Sequence, residues 1–454
     1  MTAASPTVAD PSAAATPAVP AATPPPNPDR RRRRILVAAF ATSPYRGSEP
    51  GGGWHVVRHL ADHHDVTVLC FPGFDHDARR NYERYLTEHG PLPGLTMAWV
   101  EQPPLSRLLQ REGVWQRAFY YHGYRSWEKA AYRHAVALHR REPFDLAYRL
   151  NMTGFREPGY LWRLDLPYAW GPIAGAVMMP RTFFPLLSRR DRLFYGIRNR
   201  LNARQMRSVT RCRIAARKAS QLWAVDELNR TMIRRHFGAD ADLLLDSGCD
   251  PDPAATTRDY DGSRPLRIIW SGVHEGRKCL PILLHAMKRL VDAGRRLQLE
   301  VLSQGPETTN WQRLARELGL AETVHWTGQL PHARAVAALR DADLFVLTSL
   351  QEAATHVVME ALASGLPVVC HDACGMGLAI DDRCGLKVPL QDPATSIAGF
   401  AAALEQLLDH PQQIRTLSVG ALQRAEELSW SRKGWEIAAT FDQILAEPSR
   451  PGGV

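Results

Sequence analysis

Apolar residues along the chain fall into short runs, and longer stretches with apolar positions every three or four residues lie between them. The short runs predict strands, and the longer stretches predict amphipathic helices. The runs form two series, separated by a segment at 250–265 that is dense in turn-forming residues and predicts a linker. The predicted strands are 34–41, 65–71, 145–150 and 222–226 in the first series, and 266–272, 297–305, 324–328, 343–349 and 367–372 in the second.

Strands that alternate with helices predict parallel sheets covered on both faces. Two such series predict an α/β protein with two Rossmann-like domains facing across a cleft. We place the first domain at 34–255 and the second at 263–427. Ligands of open α/β sheets bind outside the carboxyl ends of the strands, so the cleft between the domains is the expected site.

Composition adds little to this picture. The chain has 454 residues, of which 45% are apolar and 23% are charged, as is usual for a globular protein. No apolar run approaches the roughly 18 residues that a membrane span needs, and the short run at 35–41 fits a secretory signal poorly. Seven cysteines without zinc or redox spacing favour free thiols in a reducing cytosol. We therefore expect a cytoplasmic protein, with the inner face of the membrane as one setting.

Two segments stand out by their charge or polarity. Residues 1–29 are mostly Ala, Pro, Thr and Ser, and five arginines follow at 30–34. This composition predicts a disordered leader at 1–33. The segment 187–220 holds ten arginines and one lysine against one aspartate. It is either a solvated helical face or a peripheral membrane contact that faces acidic lipid or a lipid-diphosphate acceptor. No nucleic-acid-binding module accompanies it, so nucleic acid is not expected as a partner.

The candidate chemistry lies in the stretch "SLQEAATHVVMEALASGLPVV", which starts at Ser349. Glu352 falls on the loop after a predicted strand, and Glu360 falls on the following helix, eight positions later. Thr355 is a plausible N-cap of this helix, and the free amides after it form an anion site without any charged side chain. The two acids therefore either bracket a ligand or are solvated charges.

This stretch resembles the E-x7-E motif of the retaining glycosyltransferases of family 4, which have the GT-B fold. The similarity extends over about 34–446, and "NMTGFREPGYLW" and "GPIAGA" resemble segments of bacterial surface-polysaccharide transferases. Further segments that follow the family's order are "SPYRGSEPGGGWHVVRHLADHHDVTVL", "LRIIWSGVHEGRKCLPILLHAM", "LEVLSQGPE" and "VHWTGQLP". The segment 428–447 resembles the family's closing helix, which returns to the first domain.

The resemblance implies a role for each matching residue. Glu352, near the transferred sugar, and Lys278, against the donor diphosphate, are the candidate catalytic residues. The candidate donor-binding residues are Gly272, Arg277, Thr355, His356, Val357 and Glu360. Gly51, Gly52 and Gly53 are expected to form a loop that approaches phosphate or acceptor. Two positions depart from the family, because Val273 and Cys279 stand where arginine and glycine are usual.

The implied activity is retaining, metal-independent transfer of a hexosyl unit from a nucleoside diphosphate sugar to a glycan or lipid-linked acceptor. The expected setting is cell-surface polysaccharide synthesis. No cofactor is expected. The alternatives are a non-catalytic GT-B relative that binds nucleotide or glycan and organises a membrane-associated complex, and a sugar-nucleotide epimerase. Covalent and front-face mechanisms both stay open.

Overall fold

Two parallel sheets organise the molecule, as the hydrophobic pattern predicts. The structure is a computed structural model that describes residues 31–73, 77–104, 114–352 and 356–446. Most of the predicted leader at 1–33 lies outside the described residues. Every strand pair of both sheets is parallel, so the prediction of two Rossmann-like domains is confirmed.

The first sheet has seven strands in the order β3-β2-β1-β4-β5-β6-β7. Its strands are β1 Arg34–Ala39, β2 Asp65–Cys70, β3 Leu95–Trp99, β4 Leu146–Asn151, β5 Tyr168–Ile173, β6 Gln221–Ala224 and β7 Asp242–Leu243. Its helices are α1 Ser48–Leu60, α2 Asp77–His89, α3 Val114–Arg141, α4 Arg189–Arg207, α5 Thr210–Lys218 and α6 Glu227–Met232. Short 3-10 turns at Leu161–Arg163 and Arg181–Leu186 and a π-helical turn at Ile233–Phe237 complete this part.

The second sheet has six strands in the order β10-β9-β8-β11-β12-β13. Its strands are β8 Leu266–Ser271, β9 Leu297–Leu302, β10 Val324–Gly328, β11 Leu344–Leu347, β12 Val368–His371 and β13 Gly385–Val388. A 3-10 turn spans Gly276–Lys278. The helices are α7 Pro281–Asp292, α8 Thr308–Glu317, α9 His332–Asp341, α10 His356–Ala363, α11 Cys374–Ala379, α12 Pro393–Asp409, α13 Gln412–Glu427 and α14 Trp430–Ala446.

Both faces of each sheet are buried, which explains why the strands are apolar throughout. Successive side chains of a strand point to opposite faces. In β1, Ile35 and Val37 belong to one buried cluster, whereas Leu36 and Ala38 belong to another. Parallel strands covered on both faces therefore show continuous apolar runs, and such runs made these strands predictable.

The chain passes between the domains at two adjacent points. The backbone amide of Trp430 donates to the carbonyl of Cys249 at 3.1 Å, and the amide of Cys249 donates to the carbonyl of Leu428 at 3.3 Å. After the second crossing, α14 packs on the first domain, where Ile437 and Phe441 share a buried cluster with β1. The last helix thus returns to the first domain.

A segment after β5 leaves the first domain and packs on the second. Phe183 is fully buried within the cluster formed by the second sheet and its helices. The hydroxyl of Thr182 donates to the carbonyl of Gln391 at 2.9 Å. Among the described residues, no helix is both long and apolar enough to cross a membrane.

Candidate active site

The site begins at the carboxyl end of β8, which is followed by a glycine and a 3-10 turn. A Cβ added at Gly272 would lie 3.3 Å from Cε of Lys278, so a larger residue would press on the lysine side chain. The turn ends at Cys279, which is buried and has a φ of 44°. This left-handed conformation favours glycine over other residues.

Glu352 lies between two cations at the carboxyl end of the neighbouring strand. Its Oε1 forms an ion pair with Nζ of Lys278, and its Oε2 lies 3.1 Å from Nη1 of Arg277. The two loops are joined by the amide of Leu350, which donates to the carbonyl of Arg277 at 2.8 Å. We call Glu352, Lys278 and Arg277 the Glu352 cluster.

The two cations keep Glu352 ionised although it is buried. Burial alone would raise the pKa of this carboxyl, since desolvation disfavours the charged form. Lys278 and Arg277, together with the Ser349 hydroxyl, outweigh the burial and hold the pKa below its ordinary value. Arg277 also meets Oε2 of Glu275 at 2.9 Å, so its charge is shared between two acids.

The helix after Glu352 is described from His356 onward, and the predicted N-cap Thr355 lies outside the described residues. Burial, with Lys433 and His55 nearby, lowers the pKa of His356 to about 4, so this side chain is neutral at pH 7. Val357 packs its side chain against a buried cluster of the second domain.

Glu360 lies one turn further along α10 and is separated from the Glu352 cluster. Its Oε1 is 3.8 Å from Nδ1 of His332, and its side chain is 36% exposed. Burial raises the pKa of Glu360, and His332 offsets part of that rise.

Two adjoining cavities occupy the cleft between the domains. The first cavity measures about 420 Å³ and is lined by Glu352, Arg277 and Gln351 from the second domain. Its wall from the first domain, the linker and α14 includes Glu49, Gly52, Gly53, Asn151, Thr153, Arg198, Asp246 and Lys433. The second cavity measures about 650 Å³ and is lined by Glu360 and His332, with Gly51, Gly52, His55, Asp250 and Arg340. His356 lines both cavities, so the two acids of the motif face adjoining spaces.

The predicted loop at Gly51–Gly53 is wrong, because these glycines lie within the first two turns of α1. Pro50 precedes them, and proline suits the start of a helix. A Cβ at Gly53 would lie 2.7 Å from the carbonyl oxygen of Ala41, and one at Gly52 would lie 3.2 Å from that of Asp246. The glycines therefore let the helix start pack closely against neighbouring backbone, although they do line the cavities.

Sequence reasoning missed three ionisable groups of the first cavity, namely Glu49, Asp246 and Lys433. Lys433 belongs to α14 and is buried, and its ammonium donates to the carbonyl of Leu245 at 2.5 Å. Nothing in the sequence singles it out, because it stands in an ordinary amphipathic pattern. Val273 is 46% exposed and is absent from the described linings of both cavities.

One set of possible metal ligands lies at the edge of the second cavity. His55, His59 and Asp250 bring three potential ligand atoms within 4.8 Å of one another. His55 stacks on the ring of Trp430, and Nδ1 of His59 is 3.3 Å from a carboxylate oxygen of Asp62. This set is separate from the Glu352 cluster.

Comparison with known proteins finds a family match in the second domain. Residues 265–410 match the family described as Glycosyl transferases group 1. The D-inositol 3-phosphate glycosyltransferase of Streptomyces bingchenggensis is 28% identical over 252 residues, which are 51% of this chain and 54% of that protein. The 2-deoxystreptamine glucosyltransferase of Streptomyces kanamyceticus is 25% identical over 403 residues, which are 84% of this chain and 94% of that protein. The chain spans about half the length of the first curated relatives that it matches.

Solved structures share the arrangement of both domains. The sucrose-phosphate synthase of Thermosynechococcus elongatus superposes with a TM-score of 0.61 at 16% identity, covering 91% of this chain and 100% of that chain. At this identity the similarity establishes the fold alone. It confirms the predicted GT-B arrangement of two Rossmann-like domains facing across a cleft.

Proposed function

We propose that this chain, in which residues 265–410 form a group 1 glycosyltransferase domain, is a retaining, metal-independent glycosyltransferase. It moves a hexosyl unit from a nucleoside diphosphate sugar to a glycan or lipid-linked acceptor. The observation that supports this proposal best is the buried Glu352 cluster, in which Glu352 and Arg277 line the first cavity and Lys278 pairs with Glu352 behind them.

The two cavities suggest how the donor lies. The ribose hydroxyls bind Glu360 in the second cavity, because a carboxylate can accept two hydrogen bonds from neighbouring hydroxyls. The diphosphate passes the start of α10 and reaches Lys278 and Arg277, which are charge-assisted donors. The sugar then enters the first cavity beside Glu352.

The chemistry requires charge stabilisation at two places. As the bond between the anomeric carbon and the phosphate oxygen breaks, negative charge grows on the diphosphate and positive charge grows on the sugar. Lys278 and Arg277 stabilise the former, and the Glu352 carboxylate favours the latter. We favour front-face departure, in which the acceptor oxygen bonds to the anomeric carbon and its proton passes to the departing phosphate.

A membrane-bound acceptor fits one further surface. Leu193, Phe194, Ile197 and Leu201 of α4 are between 49% and 67% exposed, and their spacing places them along one side of the helix. We call them the apolar ridge. Arginines of α4 surround it, and the opposite side is fixed by Asn199, whose side chain bonds both the amide and the carbonyl of Met179. An apolar ridge among arginines fits an anionic membrane surface, so we place the protein in the cytoplasm at the inner face of the membrane, in surface-polysaccharide synthesis.

The first test measures thermal unfolding with a panel of nucleoside diphosphates and their sugars. A ligand at about 100 times its dissociation constant adds about 2.7 kcal/mol to the unfolding free energy. We expect one nucleotide to stabilise the wild type and to lose this effect in Glu360→Ala. Glu317→Ala is the matched control, because the Glu317 side chain is 63% exposed on α8.

The outcomes separate the alternatives. Stabilisation together with sugar transfer supports the proposal, whereas stabilisation without transfer indicates a non-catalytic binding protein. Release of an epimerised nucleotide sugar indicates an epimerase. Absence of any nucleotide effect on a well-folded sample contradicts the donor assignment.

A further inference from the structure

The wall of the first cavity opposite the Glu352 cluster is rich in hydrogen-bond acceptors. Glu49 lies at the start of α1, and its Oε1 accepts from the amide of Thr153 at 2.6 Å. Asp246 follows β7 at the end of the first domain and lines the same cavity. Both residues are carboxylates, and neither forms an ion pair within 4 Å among the described residues.

Apart from Oε1 of Glu352, which is ion-paired with Lys278, two acceptor oxygens of this cavity are buried without a hydrogen bond from any residue that the structure describes. One is Oδ1 of Asp246, and the other is Oε1 of Gln351. Gln351 is only 9% exposed, and its orientation is fixed because Nε2 donates to the carbonyl of Val177 at 2.5 Å. A buried acceptor without a donor is costly, so both oxygens indicate a ligand that donates hydrogen bonds.

The nearest cation does not neutralise this wall. Lys433 directs its ammonium to the carbonyl of Leu245, and burial lowers its pKa to about 8. Burial raises the pKa of Asp246 to about 7, and Glu49 adds to that rise while Lys433 opposes it. Arg149 and Lys433 offset the burial of Glu49 and of Asp246, respectively, only in part, and Glu49 disfavours the charge of Asp246. An additional cation in the cavity therefore stabilises both carboxylates.

We propose that the acceptor carries a protonated amine, which binds between Glu49, Asp246 and Gln351 in the first cavity. This inference rests on the proposed function and names the chemical class of its acceptor. An ammonium group offers three donors and a full positive charge, whereas a hydroxyl offers one donor and no charge.

The remaining charges of the cavity favour this class over a phosphate-bearing acceptor. Arg277 and Lys278 are held by Glu352, and in the proposed complex they face the donor diphosphate. The other arginine of the lining, Arg198, is exposed. An anionic group beside Asp246 would meet like charge and would leave the buried oxygens without donors.

The test is equilibrium titration of the full chain with glucosamine, glucose and glucose 6-phosphate, followed by NMR. We expect glucosamine to bind at least about tenfold more tightly than the other two sugars at pH 7. Asp246→Asn should remove this preference, because a neutral amide cannot pair with the ammonium. Asp259→Asn is the matched control, because its carboxylate lies outside both cavities and is 86% exposed. Glu49→Gln is the second variant if Asp246→Asn does not fold.

Every outcome decides the inference. Equal binding of glucosamine and glucose, preference for glucose 6-phosphate, or full preference retained in both acid variants overturns it. Nucleoside diphosphate stabilisation is measured on the same samples. If nucleoside diphosphates stabilise the wild type but the amine is not preferred, only the amine inference fails. If they do not stabilise it, the transferase proposal itself fails.

Discussion

The ammonium of Lys278 lies against one carboxylate oxygen of Glu352 in the wall of the first cavity. The Glu352 carboxylate is therefore paired with the lysine that, in our proposal, faces the donor diphosphate. Arg277 lies 3.1 Å from the other oxygen and is partly occupied in the same way. Removing the acid and removing the cation should consequently have opposite effects on nucleotide affinity.

Glu352→Gln should separate donor binding from transfer. The variant frees Lys278 and Arg277, so we expect nucleoside diphosphate affinity to stay level or to rise. We expect the transfer rate to fall about a hundredfold or more, because the carboxylate that faces the developing positive charge is lost. Calorimetric titration and a transfer assay on one sample measure both quantities.

The control for this variant is Glu275→Gln. Glu275 is the second carboxylate that pairs with Arg277, and its side chain is 40% exposed. This control should change transfer by less than about tenfold, since an exposed ion pair contributes little. Weaker nucleotide binding by Glu352→Gln would contradict the arrangement proposed for the donor.

Lys278→Met should weaken nucleoside diphosphate binding and lower stability. The buried Glu352 carboxylate keeps Arg277 but loses its closest cation, so we expect a loss of about 1–3 kcal/mol in the free energy of unfolding. The double variant Lys278→Met with Glu352→Gln should recover most of this loss in urea titration. No recovery would mean that the lysine stabilises the protein through contacts other than the acid.

Cys279 should tolerate glycine better than a branched residue. Its φ of 44° is left-handed, and the side chain is buried. Glycine relieves the backbone and loses the buried thiol, so we expect Cys279→Gly to stay within about 1 kcal/mol of the wild type. Cys279→Val should lose more than about 2 kcal/mol, because β-branched residues avoid this conformation. Equal stability of the two variants in urea titration would contradict the left-handed assignment.

His371 should contribute to acid sensitivity. It is fully buried, with Nδ1 3.1 Å from the carbonyl of Ser349 and Nε2 3.0 Å from the hydroxyl of Ser396, and burial lowers its pKa from 6.5 to about 4. Its stabilisation is therefore complete above about pH 6.5 and is lost as the pH falls towards 4, by up to about 3 kcal/mol.

Urea titrations at several pH values measure this effect. His371→Gln should show a shallower loss of stability between pH 6.5 and 4 than the wild type. His325→Gln, at an exposed position, should follow the wild type. Parallel curves for His371→Gln and the wild type would show that other groups cause the acid sensitivity.

The apolar ridge of α4 should determine vesicle binding. Replacing Leu193, Phe194 and Ile197 by serine removes three side chains that are 49% to 67% exposed. We expect this triple variant to bind vesicles containing anionic lipid at least about tenfold more weakly in flotation experiments. Val419→Ser is the control, because Val419 is 42% exposed on α13 of the second domain. Unchanged binding by the triple variant would remove α4 as the membrane contact.

The sequence predicted the fold where burial on both faces makes a strand apolar throughout, as in β1, β8 and β11. It missed four strands: β3 and β7 at the two edges of the first sheet, β5, where "YAWGPI" contains Gly-Pro, and β13, which has only four residues. It brought Glu352 and Lys278 to one site through motif order. It could not predict that Lys433 and Asp246 line the same cavity, because that depends on where α14 packs after the chain returns to the first domain.

The return of α14 to the first domain creates a hinge with a preferred axis. The two strands that connect the domains run side by side and are hydrogen-bonded to each other at Cys249, Leu428 and Trp430. Two adjacent connections allow the domains to rotate about a hinge axis that passes through them. A twist of one domain against the other would separate the two segments and break these hydrogen bonds. Any change in the width of the cleft must also move the segment at 181–186, because Phe183 of that segment is buried in the second domain.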